Sequence, residues 1–294
     1  MAVLFQKDTT TRANFASWFV AKLIEKGWEQ ISSKVSTDGY VFHSTGNDGL
    51  SDYYFNIILD AYSAGTLARG TVSLIRSYTP GASGVAGTFV NKFNPVYQPP
   101  FAIYDIPLGT QFDVYYAIDK DRIRVCCCVS YATASSTLRT ISGKPIVLPS
   151  SLIYFGKVSE DSLPNPSSNN NYGNVVFVQL SGNNGTALAE YATFYTPSYD
   201  LVSPSGLNVG TGALQKLVNP LNHVPGSKII MSPIFVSNGS IEIGTLDGAY
   251  WVNYAANVQD GDLLTVGAEK YRVCVPHNNY GTYDRISFFA IRVV

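Results

Sequence analysis

The side chains in this sequence that could carry chemistry are three histidines, four cysteines and two small acidic clusters. His43, His223 and His277 lie far apart and show neither a His-x-x-His nor a His/Glu spacing, so no metal-binding helix or catalytic pair is predicted from them. Cys126, Cys127 and Cys128 are consecutive and Cys274 is remote. Neighbouring residues of a strand point to opposite faces, so the triplet by itself makes neither a metal cluster nor a disulfide framework. Buried free thiols in a reducing cytoplasm are the expectation.

The remaining motifs are as spare. Gly81-Ala-Ser-Gly-Val-Ala-Gly87 has the glycine content of a phosphate cradle, but Thr88-Phe-Val-Asn-Lys-Phe continues as strand or coil. A cradle needs a helix whose first amides point at the phosphate, so a plain loop is expected. Asn47-Asp48-Gly49 with Asp52, and Asp119 with Asp121, have calcium-type oxygens without the spaced series of a recognised loop; the same residues build turns. Asn184-Gly-Thr and Asn238-Gly-Ser match the glycosylation pattern, yet Met1-Ala-Val-Leu-Phe-Gln-Lys-Asp turns polar too soon to suggest a secretory signal. No carboxylate pair shares an element with a base or nucleophile. The expectation is a protein with no catalytic residues, no cofactor and no metal.

The elements that would position these residues are mostly strands. Tyr40 to His43, a turn at Gly46-Asn47-Asp48-Gly49 and a strand from Asp52 to Asp60 form a hairpin, with Tyr53, Phe55, Ile57 and Leu59 on one face. Ahead of it, Thr9-Thr10-Thr11 offers N-caps for a helix from Arg12 to Lys26, its apolar stripe Phe15, Trp18, Phe19 and Leu23, with Gly27 as left-handed C-cap. Further strands are expected at Thr71 to Tyr78, Phe112 to Ile118, Ile123 to Tyr131, Pro145 to Gly156 and Val175 to Leu180. The last block reads as Lys228 to Val236 paired with Ser240 to Ile243 across Ser-Asn-Gly. Trp251 follows near a turn, then Asp262 to Val266, Tyr271 to Val275 and a central strand from Ile286 to Val293. Asn94-Pro-Val-Tyr-Gln-Pro-Pro100 cannot be central strand, because proline lacks the ladder donor.

The predicted fold is mainly β with one N-terminal amphipathic helix, an α+β chain of antiparallel sandwich or barrel-like sheets. Its expected parts are a helix plus antiparallel β domain over 1–156, a loop-rich linker or arm over 157–226, and hairpins completing a second β unit over 227–294. Within the arm, 159–173 and 181–226 are rich in Gly, Asn, Ser and Pro; irregular stretches this long usually serve a function or a partner.

Over 294 residues, only 14% are charged and the net charge is −1, which provides no broad field for nucleic acid or anionic lipid. No apolar run reaches the roughly 18 residues that span a bilayer. Aromatics make up 13%, led by 20 tyrosines; such surfaces suit permanent protein contacts, although tyrosine also simply favours strands.

Three stretches carry a resemblance. They are the helix running into Gly27-Trp-Glu-Gln-Ile-Ser and Asp38-Gly-Tyr-Val-Phe-His-Ser-Thr-Gly, the Asp52-Tyr-Tyr-Phe-Asn-Ile strand, and Gly261-Asp-Leu-Leu-Thr-Val-Gly-Ala-Glu-Lys-Tyr-Arg-Val with Asp284-Arg-Ile-Ser-Phe-Phe-Ala-Ile-Arg. Together the chain resembles virion structural proteins of tailed bacteriophages, in particular neck and tail components. The resemblance covers the two ends and leaves the middle unmatched. It implies a homo-oligomeric ring (collar, adaptor or terminator-like) assembled in the bacterial cytoplasm into the virion. Its partners would be other neck and tail proteins, with no membrane and no sequence-specific nucleic acid. The segments 159–173 and 181–226 would then reach neighbouring subunits. The alternative within the same class is a receptor- or glycan-binding tail or baseplate protein; a β-rich hydrolase is the third reading.

Overall fold

The computed structural model describes residues 3–35, 39–50, 52–59, 70–75, 77–82, 85–90, 109–128, 140–141, 144–145, 150–157, 175–180, 191–192, 215–216, 229–238, 241–252, 260–274 and 288–294. The chain is mostly β, with antiparallel sheets and, among the described residues, a single short helix. In chain order the first half holds β1 (Gln6–Thr11), α1 (Phe15–Glu25), β2 (Glu29–Val35), β3 (Gly39–Ser44), β4 (Tyr53–Leu59), β5 (Gly70–Leu74), β6 (Ser77–Thr79), β7 (Thr88–Val90), β8 (Gln111–Ile118) and β9 (Arg122–Cys128). The second holds β10 (Thr140–Ile141), β11 (Lys144–Pro145), β12 (Ser151–Lys157), β13 (Val175–Leu180), β14 (Tyr191–Ala192), β15 (Gln215–Lys216), β16 (Met231–Asn238), β17 (Ile241–Val252), β18 (Leu263–Val266), β19 (Glu269–Cys274) and β20 (Phe288–Arg292).

Three sheets make the body. A central sheet runs β1-β8-β9-β12-β13, a second runs β2-β3-β4-β5, and a third runs β16-β17-β20-β19-β18. At its middle strands β9 and β12 the central sheet is buried on both faces. On one side Val114, Ile123, Val125, Cys127, Ile153 and Phe155 pack with the helix residues Phe15, Phe19 and Leu23 and with Phe42 and Phe55 of the second sheet. On the other side Cys126, Cys128, Leu152 and Tyr154 pack against Leu246, Trp251, Cys274, Phe289 and Ile291 of the third sheet. Residues 123–128 of β9 are accordingly buried without a break, as the innermost strand of a layered stack should be.

The helix is shorter than the spacing suggested and begins after a strand. Thr9, Thr10 and Thr11 belong to β1, paired in register with Asp113, Phe112 and Gln111, rather than capping a helix from Arg12. β-branched threonines opposite an open strand gain more from the ladder than from capping. The Thr11 hydroxyl does accept the Asn14 amide at 3.2 Å in the intervening turn. At the far end Gly27 adopts φ +89°, and the Trp28 amide reaches back to the Leu23 carbonyl at 3.0 Å, which closes the helix as a Schellman turn.

The hairpin of β3 and β4 forms as expected, Phe42 opposite Phe55. Tyr53, Phe55 and Ile57 are buried on the helix side. Asn56, on the other face, is buried too, and donates to the Tyr40 carbonyl at 3.1 Å. The expected strand from Thr71 to Tyr78 divides into β5 and β6. Trp251, expected near a turn, is the second-last residue of β17 and fully buried. Within 181–226, β14 and β15 pair over two residues each. The expected segment 159–173, the proline run 94–100, Asn184, His223 and His277 lie outside the described residues.

Candidate functional site

Alternation along β9 sorts its side chains between the two cores. Cys127 turns to the helix side, whereas Arg122, Arg124, Cys126 and Cys128 line the layer shared with the third sheet. Across that layer, Arg272 and Cys274 alternate in the same way on β19. The result is a thiol cluster: Cys126 Sγ lies 3.7 Å from Cys128 Sγ and 3.9 Å from Cys274 Sγ, and all three sulfurs fall within 4.8 Å of one another. All four cysteines are buried and unbonded, as expected; the three-sulfur grouping was not. Its signal in the sequence was the Cys-x-Cys spacing inside the triplet, which places the first and third thiols on one face. Nothing local named Cys274 as their partner.

Polar groups enclose the cluster. The Arg272 guanidinium reaches Cys274 Sγ at 3.8 Å, pairs with Asp260 Oδ2 at 3.4 Å and lies over the Tyr115 ring at 5.4 Å. Ser150 is fully buried; its Oγ lies 3.5 Å from Cys128 Sγ and donates to Asp260 Oδ1 at 3.0 Å. Cys128 is the sulfur that bears charge most readily, since hydrogen bonds from Cys126 and then Cys274, with Arg272 close by, hold its thiol well below the usual range. Burial pushes Cys126 and Cys274 the opposite way, so these two act as donors to it. Three mutually close sulfurs, with the Ser150 hydroxyl beside Cys128, make up a donor set for a soft or borderline metal ion.

The two candidate calcium clusters prove to be halves of one contact. The Asn47 amide donates to Asp121 Oδ1 at 2.9 Å and its Nδ2 to Asp121 Oδ2 at 2.8 Å. Ser44 Oγ donates to the Lys120 carbonyl at 2.6 Å, and Trp28 Nε1 to the Asp119 carbonyl at 2.8 Å. Asp119 also takes the Asp121 amide at 2.8 Å and the nearly buried Arg124 guanidinium at 3.2 Å. Asp48, for its part, accepts the Leu50 amide at 2.8 Å, and Asp52 sits 2.6 Å from His43 Nε2. Asp121, with the Lys120 carbonyl, therefore clamps the turn after β3 onto the turn between β8 and β9, whereas Asp48 and Asp52 make local contacts only.

His43 has a carboxylate at each ring nitrogen, Asp52 at Nε2 and Glu29 at 3.8 Å from Nδ1, with the Tyr54 ring 4.7 Å away. Both carboxylates are largely exposed, which makes this a surface charge cluster on the second sheet. Of the glycine-rich stretch, Gly87 packs against Tyr78 so closely that an added Cβ would fall 2.3 Å from its hydroxyl oxygen. The next residues are strand β7 and not a helix, which removes the amides a phosphate would need. Among the described residues no helix is long and apolar enough to cross a membrane. Compared with known proteins, the chain matches no family model and no curated relative.

Proposed function

We propose that the chain is a structural virion protein of a tailed bacteriophage, a neck or tail component that forms a ring through contacts between its own subunits and catalyses no reaction. The three stretches that resemble such proteins support the class, and one observation supports assembly through a sheet border. β18 is the outer strand of the third sheet, and its Leu263 and Val266 are 59% and 53% exposed. An outer strand offers unpaired amides and carbonyls to any other chain, and proteins that must remain alone blunt such strands with proline, charge or a bulge. The opposite border, β16, carries Pro233 and two register shifts. β18 reads Leu-Leu-Thr-Val and pairs with β19 in unbroken register. Among the described residues no strand pairs with the outer side of β18, which suits the head-to-tail contact of a ring, where one patch meets a different patch on the next subunit.

In this reading the ring is assembled in the bacterial cytoplasm and carried in the virion, beside other neck and tail proteins. Neither a membrane nor sequence-specific nucleic acid is a partner. Light scattering on the purified chain and cryo-EM of intact particles test it together. Symmetry-related copies around the tail axis are the expected result. Peripheral trimers that bind glycan would favour a receptor-binding role instead, and a monomer with a measurable turnover would overturn both.

A further inference from the structure

We propose that Cys126, Cys128 and Cys274, with the Ser150 hydroxyl, form a closed structural zinc site that joins the central sheet to the third sheet. The geometry carries it. Zinc–thiolate bonds of about 2.3 Å in a tetrahedron put the sulfurs roughly 3.8 Å apart. The two shorter separations here are 3.7 and 3.9 Å, in the absence of any disulfide. The third pair lies within 4.8 Å, so the folded site could hold an ion after small side-chain rotations that draw the sulfurs together. Cys126 and Cys128 come from β9, Cys274 from β19, so the donors converge from two sheets on one point.

The surroundings fit a cation bound by thiolates better than they fit three small apolar side chains. Three thiolates and one zinc ion leave one negative charge, and the Arg272 guanidinium 3.8 Å from Cys274 Sγ is placed to offset it. Asp260, whose side chain is only 6% exposed, holds both Arg272 and the Ser150 hydroxyl. With the Ser150 proton directed to Asp260 Oδ1, the oxygen lone pairs are left for the side of Cys128, 3.5 Å away, where they offer a fourth donor. This is the outer support that metal ligands ordinarily have.

Because the donors are wholly buried, the ion must enter as the chain folds, displacing the thiol protons as it does so. The test is therefore run on the full chain, produced with zinc in the medium and analysed for bound metal after gel filtration. About one zinc per chain is expected. Cys126→Ala and Cys274→Ala should lose it at least about tenfold, while Asp260→Asn should weaken retention against a chelator by about 10–100-fold. Cys127→Ala is the control: same strand, equally buried, but facing the helix, so it should keep the metal whatever it does to stability. Should the alanine variants fail to fold, the natural chain is unfolded and refolded with Cd2+, which should give a thiolate-to-cadmium charge-transfer band and raise the denaturant midpoint over refolding in chelator. Folded protein free of metal after both procedures, or zinc that survives loss of Cys126, overturns the proposal.

Discussion

Asn47 holds Asp121 from two sides, its backbone amide on one carboxylate oxygen at 2.9 Å and its side-chain amide on the other at 2.8 Å. That pairing ties the turn after β3 to the turn between β8 and β9, and so fixes the second sheet against the central one. Asn47→Ala and Asp121→Ala should each lower stability by about 1–2 kcal/mol, with less than additive loss in the double variant. Urea unfolding of the four proteins checks this. Added calcium should leave the melting temperature unchanged, because these carboxylates already accept amide donors.

Gly156 provides a second check on the same contact. It adopts φ +125°, and a Cβ there would fall 2.1 Å from the Asp121 carbonyl oxygen. Gly156→Ala combines a strained backbone with a collision against main chain, so a loss of about 3 kcal/mol or more is expected by chemical denaturation. Gly49→Ala, where φ is also positive but nothing lies within 4 Å, should cost only the backbone part, about 1 kcal/mol.

Asp8 predicts a pH effect. Its carboxyl is held below the ordinary 3.8 chiefly by the Trp18 indole N–H, against partial burial, with further help from the Thr9 amide and Lys22. A lowered pKa means the folded chain binds fewer protons than the unfolded one. The stabilisation is therefore full above the ordinary carboxylate value and disappears as pH falls through the folded value. Asp8→Asn should be less stable than the natural chain at about pH 6 and converge with it near about pH 2. Unfolding free energies measured across that range would show no convergence if Trp18 and Asp8 do not pair.

The open border of the third sheet is tested by charge. Leu263→Lys or Val266→Glu leaves the buried layers untouched and should alter the melting temperature little. Either should reduce the oligomer seen by light scattering, since inward or lateral charge on a border strand opposes strand pairing. An unchanged oligomer would move the subunit contact elsewhere.

Much of this architecture was legible from alternation and from short apolar runs between turn residues. The β3–β4 hairpin and β8 announce themselves because one face of each is apolar; β9, β13 and β18–β19 do so as short β-prone runs, and turn residues punctuate them. β1 was hidden for the opposite reason: Gln6–Thr11 is polar throughout, and only its pairing with β8 makes it a strand. The Asn47–Asp121 clamp was half visible, since both turns were evident and their meeting was not. The thiol cluster shows the same limit most clearly. Cys126 and Cys128 share a face by simple period 2, yet Cys274 is 148 positions away and joins them only through the stacking of two sheets.

The uninterrupted burial of β9 has a consequence for biosynthesis. The face bearing Cys126, Leu152 and Tyr154 is completed only when Trp251, Cys274 and Phe289 have left the ribosome. At about 5–20 residues per second, that leaves an adhesive apolar surface uncovered for on the order of ten seconds. Nascent chains should consequently need a chaperone, or slow dilute expression, to arrive at the native stack without clumping.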